Sequence, residues 1–325
     1  MRLPRRRFLG LAASAPALPA VSRLARAQTY PVRPVRLVVG VPPGGTFDIV
    51  ARLIGQWLSE RFGQQFIIEN RPGAGTNIGT DVVAHAPADG YTLLLAGSPA
   101  AINATLYDNL NFNFIRDIAP VASIERMPLV MAVNPALPLK TVPEFINYAK
   151  ANPGKINMGS GGIGSTGYVS GVLFTMMAGI KIAQVPYRGE APALTDLIGA
   201  QVQVVFATAG SVIQHVRSGA LRALAITTSV PLDALPGVPS LADFLPGYEA
   251  TAWIGIGAPI NTPAEIVTRL NHAINAALAD PQIKAQLADL GASILAGSPA
   301  DFGKFIADET EKWGKVVKFS GAKPE

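Results

Sequence analysis

From Val35 onward, short apolar runs alternate with runs in which apolar residues recur every three or four positions. That alternation restricts the chain to α/β layering, because each period has to bury its own kind of face. The first unit is the clearest. Residues 35–41 read as a strand, and Pro42-Pro43-Gly44-Gly45-Thr46 can only be a turn. Val50, Leu53, Ile54, Trp57 and Leu58 then fall on one helical face, with Arg52, Gln56, Ser59 and Glu60 on the other. Residues 66–69 and 91–96 are the next strands, and residues 70–75 form a loop. Asn77 or Thr76 is expected to cap the helix after that loop, and Ser98 the helix after the third strand.

A second block contains strands over 129–133, 156–159, 184–187, 201–207 and 221–227, with helices over 191–198 and 212–217. A third returns to the first style, with a strand over 252–258 and a closing helix that runs to about Lys318. Thr141-Val142-Pro143-Glu144, Thr262-Pro263-Ala264-Glu265 and Ser298-Pro299-Ala300-Asp301 each have the spacing of a capping box.

Three strand-to-helix loops, 42–48, 97–101 and 160–166, are rich in small residues. Ligands in open α/β sheets sit beyond the carboxyl ends of strands, where such loops gather. The helix after each loop offers unpaired N–H groups and a partial positive charge, a ready seat for a carboxylate. Gly44 and Gly45 leave room for close backbone approach. Gly162-Ile163-Gly164-Ser165-Thr166-Gly167 matches G-x-G-x-x-G, but the following strand ends Gln184-Val185-Pro186-Tyr187, without the acid that would hold a ribose. A nucleotide reading is rejected. His85, His215 and His272 have no metal-ligand spacing, no Cys exists for thiol chemistry or zinc, and no G-x-S-x-G elbow occurs. No cofactor or metal is expected. Asp48 and Arg52, one turn apart, suit an ion pair on the helix.

The first 27 residues read as an export signal: Arg2, Arg5, Arg6 and Arg7, then a mild apolar run over 8–21, then Ala25-Arg26-Ala27 before a mature start at Gln28. Arg5-Arg6-Arg7-Phe8-Leu9 fits a twin-arginine leader, and a general secretory leader fits as well. The formal charge of +5 includes six leader arginines and no leader acid, so the mature part stands at −1 and keeps no basic patch for nucleic acid.

Several ordered segments together carry a family resemblance. They are Val41-Pro42-Pro43-Gly44-Gly45 with Asp48, Ala51 and Arg52; Glu69-Asn70-Arg71-Pro72-Gly73-Ala74-Gly75 with Asn77-Ile78-Gly79; and Asp89-Gly90-Tyr91-Thr92-Leu93-Leu94. Val185-Pro186-Tyr187 with Gly189, Leu221-Arg222-Ala223-Leu224-Ala225, Leu235-Pro236-Gly237-Val238-Pro239-Ser240, Trp253, Ala258-Pro259 and Thr262-Pro263 complete the set. Over residues 30–318 the chain resembles the periplasmic receptors of tripartite tricarboxylate transporters, the Bug family.

The resemblance implies an α/β, two-lobe periplasmic binding protein-like fold (type II, Venus flytrap) with a ligand cleft between the lobes. Lobe 1 would comprise residues 28–124 plus 251–325 and lobe 2 residues 125–250, with crossings near 123–127 and 248–253. It further implies a non-enzymatic, monomeric receptor in the periplasm that delivers a small carboxylate to a membrane permease. By matching motifs, Pro43, Gly44, Gly45, Thr46, Phe47, Asp48, Asn77, Ile78, Gly79 and Ser98 would bind ligand from one lobe. Ser160, Ser165, Thr166, Tyr187 and Thr208 would do so from the other. Arg71 and Arg188 are expected to be structural. Thr76, Tyr168 and the stretch Phe206-Ala207-Thr208 depart from the family pattern, which commonly has Gly, His and an Asp after the Phe. An exported α/β enzyme and a ligand-presenting sensor component are the rival readings.

Overall fold

The computed structural model describes residues 30–324; the leader, its cleavage point and the choice of export route lie outside them. The first units are β1 (Val35–Val39), α1 (Thr46–Phe62), β2 (Phe66–Asn70), α2 (Asn77–Ala84), β3 (Thr92–Gly97), α3 (Ser98–Leu106) and a short α4 (Phe114–Asp117), which leads into a long β4 (Ile118–Val133). The middle of the chain supplies α5 (Val142–Ala151), β5 (Asn157–Ser160), α6 (Thr166–Ala178), β6 (Ala183–Pro186), α7 (Glu190–Ile198), β7 (Val204–Thr208), α8 (Ala209–Arg217) and β8 (Arg222–Ile226). The chain then returns as β9 (Thr251–Pro259), α9 (Ala264–Ala279), α10 (Pro281–Asp289), β10 (Ser293–Ile294) and α11 (Pro299–Ser320).

The local causes are visible. α1 buries Val50, Ala51, Ile54 and Leu58 on one stripe and stops at Gly63, whose φ of 67° only glycine takes freely. α11 opens on a complete capping box, Ser298 accepting from the Asp301 N–H and Asp301 accepting in return. At α5 the box is displaced by one residue. Thr141 accepts from the Glu144 N–H, but the Glu144 carboxylate accepts from Lys140 N–H. The box expected at Thr262 does not form, because the Thr262 hydroxyl turns back to donate to the Pro259 carbonyl. Neither Thr76 nor Asn77 caps α2 through its side chain, and Ser98 lies inside α3 rather than capping it.

The ten strands form one sheet system hinged on β4. In the first lobe β2, β1 and β3 run parallel, and β9 pairs antiparallel to β3 and to β4 from Ile118 to Pro128. From Leu129 onward the partners of β4 are β7 and β8, with β5 and β6 parallel beyond β7. The sequence reading found only residues 129–133 of this strand. Pro120, Glu125, Arg126 and Pro128 interrupt the apolar run, and two register shifts break the pairing near Pro120 and Ser123. Thr227 fastens the junction: its hydroxyl accepts from the Leu129 N–H at 2.7 Å and donates to the Ala250 carbonyl at 2.7 Å.

One apolar core runs through both lobes on the face covered by α3, α6 and α11, from Leu94 and Trp253 to Phe174 and Phe206. On the opposite face each lobe has a separate core, the two meeting only at Leu290 and Ala292. The two-lobe α/β architecture is thus continuous on one side and divided on the other.

Glu125 sits in the crossing strand at 1% exposure, and neither of its oxygens meets a hydrogen-bond partner. Burial pushes its carboxyl up to about 7. A carboxyl whose pKa is raised on folding binds its proton more tightly in the native state. Stability from this group is therefore fully present below the ordinary value near 4.5 and falls as pH rises towards 7. Glu125→Gln is expected to raise stability at pH 8 by about 2–4 kcal/mol and to change it little at pH 4.5. Denaturant melts at the two pH values measure this, and an equal shift at both would contradict it.

Candidate functional site

Strand direction fixes where a site can be. The parallel strands of the first lobe end at Val39, Asn70 and Gly97, and Gly97 pairs with Ile254 near the start of β9. The parallel strands of the second end at Ser160, Pro186 and Thr208, and Thr208 pairs with Leu129. Pro128, the residue before Leu129, pairs with Thr251. The carboxyl ends of both strand sets therefore converge on the crossing from opposite sides.

In the first lobe the loop after β1 is held by Asp48. Its carboxylate is 3% exposed and accepts from Gly44 N–H at 2.9 Å, Arg52 at 2.9 Å through each oxygen, and Asn70 Nδ2 at 3.0 Å. Arg52 is the chief cause that holds this carboxyl down at about 2; Gly44 and Asn70 assist against the penalty of burial. Asp48 thus organises the loop, while Pro43, Gly44 and Gly45 stand exposed at its tip, with Thr46 and Phe47 half-buried behind them. A Cβ on Gly97 would lie 2.3 Å from the Phe47 ring, so the absent side chain lets Phe47 lie over the end of β3.

The loop after β2 brings α2 against β1. A Cβ on Gly79 would meet the Gly40 backbone at 3.0 Å, and one on Gly73 would meet the Ile78 side chain at 2.4 Å. Gly79 and Ile78 therefore set the position of α2. Asn77, 5% exposed, accepts from Asn103 Nδ2 at 3.1 Å, while its own Nδ2 has no partner. Asn103 also donates to the Gly75 carbonyl at 2.6 Å. Ser98 is fully buried and accepts from the Trp253 N–H at 2.8 Å, tying β9 to the start of α3. Arg71 donates to Glu69 at 2.6 Å.

In the second lobe Ser160 is fully buried with an unpartnered hydroxyl. The loop beyond it turns through Gly162 and Gly164, both at positive φ, and Ser165 caps α6 by accepting from the Tyr168 N–H. Thr166 is buried in the first turn of α6. A Cβ on Gly164 would lie 2.6 Å from Leu106 and 3.2 Å from Asn103 Oδ1, so this loop touches α3 of the other lobe. Tyr187 donates its hydroxyl to Asp196 at 2.6 Å, and burial with that bond pushes it up to about 12. Thr208 directs its N–H and hydroxyl at Glu190.

The residues singled out from sequence thus fall at strand ends, loops and helix starts, ten on one lobe and five on the other. Asn103, Gly164 and Glu190, which the sequence does not single out as ligand-binding, lie against these residues. Asn103 lies mid-helix, and Glu190 reads only as a helix opener. A separate cavity of about 900 Å³ is lined by Tyr30, Phe62, Tyr91, Arg269 and neighbours. It lies at the amino ends of β1 and β3, the wrong edge for a strand-end ligand, and mixes Arg61 and Arg269 with Asp89 and Glu265.

Residues 50–321 match the tripartite tricarboxylate transporter family receptor. Protein BugT of Bordetella pertussis is 38% identical over 300 residues, covering 91% of this chain and 92% of that protein. Among solved structures, an R. palustris protein with adipate superposes with a TM-score of 0.83 at 38% identity, covering 91% of this chain and all of that one. MatC from Rhodopseudomonas palustris with bound malate gives a TM-score of 0.79 at 32% identity, covering 89% and 100%.

Asp48→Asn is expected to lower stability at pH 7 by about 1–3 kcal/mol through loss of its charge-assisted bonds. The wild-type contribution is present above the ordinary value of 3.8 and is lost as pH falls through about 2, so the two proteins should converge in strong acid. Urea melts at pH 7 and pH 2.5 measure the gap; no gap at pH 7 would remove Asp48 from this role.

Proposed function

The chain belongs to the tripartite tricarboxylate transporter receptor family, and from that membership we propose that it captures a small carboxylate in the periplasm and hands it to a membrane permease. The observation that carries this reading is the convergence of two sets of strand ends, with an unpartnered Asn77 Nδ2 on one side and an unpartnered Ser160 hydroxyl on the other. Both are buried polar atoms at facing loops, and such atoms ordinarily have a partner.

The family and its solved neighbours are binding receptors, and we read this chain as a receptor that leaves its ligand chemically unchanged. Residues 28–124 plus 251–325 form the first lobe in this reading and residues 125–250 the second, with α11 lying across both. Closure about β4 and β9 brings the loops together on the ligand. The carboxylate is held by N–H groups at the starts of α1, α2 and α3, with Asn77 in support, while Ser160, Ser165 and the start of α6 face the ligand from the second lobe. Residues 1–27 are the export signal, the mature chain starts at Gln28, and the receptor acts as a monomer.

A thermal-shift screen of residues 28–325 against mono-, di- and tricarboxylates tests the reading, with adipate and malate included because solved relatives carry them. A ligand at about a hundred times its dissociation constant stabilises the fold by about 2.7 kcal/mol. One saturable hit recovered unchanged is the expected result. Turnover of the hit would move the chain to an enzyme, and a flat response from folded, ligand-free protein would count against a carboxylate receptor.

A Cβ on Gly44 would meet nothing within 4 Å, although φ there is 94°. Gly44→Val is therefore expected to cost about 1–2 kcal/mol of backbone strain and to weaken binding of the hit at least tenfold. Calorimetry on the folded variant measures it; unchanged affinity would exclude this loop from the site.

A further inference from the structure

The carboxylate of Glu190 lies at the strand-end edge of the second lobe and occupies the start of α8. Oε1 accepts from the Thr208 N–H at 3.1 Å; Oε2 accepts from the hydroxyls of Thr208 and Ser211, each at 2.8 Å. These donors belong to the start of α8, immediately after β7. Glu190 also borders the loop after β5. A Cβ on Gly161 would lie 3.2 Å from the Glu190 nitrogen and 3.4 Å from its Cγ. Among the described residues no lysine or arginine forms an ion pair with it.

We infer that Glu190 sets the ligand class: a monocarboxylate whose far end carries a hydrogen-bond donor, a hydroxyl or an amine, in preference to a dicarboxylate. The inference rests on the receptor reading above and deepens it. The positive end of α8 is already neutralised by the protein's own carboxylate, so it offers little to a ligand anion. With its proton on Glu190, the Thr208 hydroxyl has only lone pairs left for a ligand. A second carboxylate placed here would face a fixed like charge in a partly desolvated cleft. A hydroxyl or ammonium would instead find acceptors. At the start of α2 the first lobe offers a donor instead, the free Asn77 Nδ2, so the ligand's single carboxylate belongs there.

Calorimetric titration of residues 28–325 with length-matched acids tests this. One set is adipate, 6-hydroxyhexanoate and 6-aminohexanoate; the other is succinate, 4-hydroxybutanoate and 4-aminobutanoate. The expected result is that, in at least one set, an acid with a terminal donor binds at least tenfold tighter than its dicarboxylate. In Glu190→Gln, which keeps an acceptor oxygen but removes the charge, that gap should shrink below threefold because the dicarboxylate gains. Wild type preferring the dicarboxylate, or an unchanged gap in the variant, overturns the role of Glu190 and leaves the receptor reading standing. Binding by none of the six, nor by any acid in the wider screen, overturns both. If Glu190→Gln melts below the assay temperature, Glu190→Ala replaces it, and the wild-type order still decides: dicarboxylate first sinks the inference.

Discussion

The structure depends on β4 serving two sheets at once. A strand has two edges, and along 16 residues this one changes partners, from β9 up to Pro128 to β7 and β8 from Leu129 onward. Because β7 and β9 both run against β4, the parallel strands on either side point their carboxyl ends at the same crossing. The cleft follows from pairing direction rather than from any binding residue. Thr227 reinforces it with a buried hydroxyl shared between Leu129 and Ala250, so the segment returning from the second lobe is fastened to the strand that left the first. A hinge made of continuous strand bends without losing its ladder, and the apolar core shared under α11 keeps the lobes in one body.

The loops at the crossing are shaped by interactions that point away from ligand. Asp48 closes the first loop with four donors, Gly79 and Gly40 allow α2 to touch β1, and Ser98 anchors Trp253. These contacts fix the backbone so that N–H groups are aimed before anything binds, which lowers the entropy lost on association. The same reasoning explains why several motif residues have no free side-chain atom. Asp48, Ser98 and Tyr187 are fully engaged within the protein, and their effect on a ligand is through the loops they hold.

Much of this was legible in the sequence because it is local. The α/β alternation, the turn at Gly44-Gly45, the Ser298 box and the small-residue loops all depend on neighbours within a few positions. What escaped depends on partners far along the chain. The part of β4 before Leu129 contains two prolines, a glutamate and an arginine, and only its pairing with β9 makes it a strand. Thr262 and Ser98 look like caps, yet each finds a better acceptor or donor elsewhere. Asn103 reveals itself only when α3 is laid beside the loop after β2. Glu190 reads as an ordinary first-turn acid, which it is, but its oxygens reach a helix that begins 18 residues later.

Most strong charges near the rim are already paired or hydrogen-bonded within the protein, although Arg188, exposed on the loop before α7, forms no ion pair among the described residues and so lacks the structural partner expected of it. Arg52 is engaged by Asp48, Arg36 and Arg71 by Glu69, and Glu190 by the start of α8. On the first lobe a ligand therefore meets partial charges rather than free guanidinium groups. A bidentate arginine would grip a carboxylate strongly and would suit retention. Helix N-termini contribute only fractions of a charge each, act over about one turn, and give up an anion more readily. That suits a carrier that must release its cargo to a membrane partner. Selectivity then depends on which N-termini are left open. With α8 closed by Glu190 and Asn77 Nδ2 unpartnered at the start of α2, the anion-seeking side of the cleft is the first lobe, and the second lobe is left to choose among ligands by what else they carry.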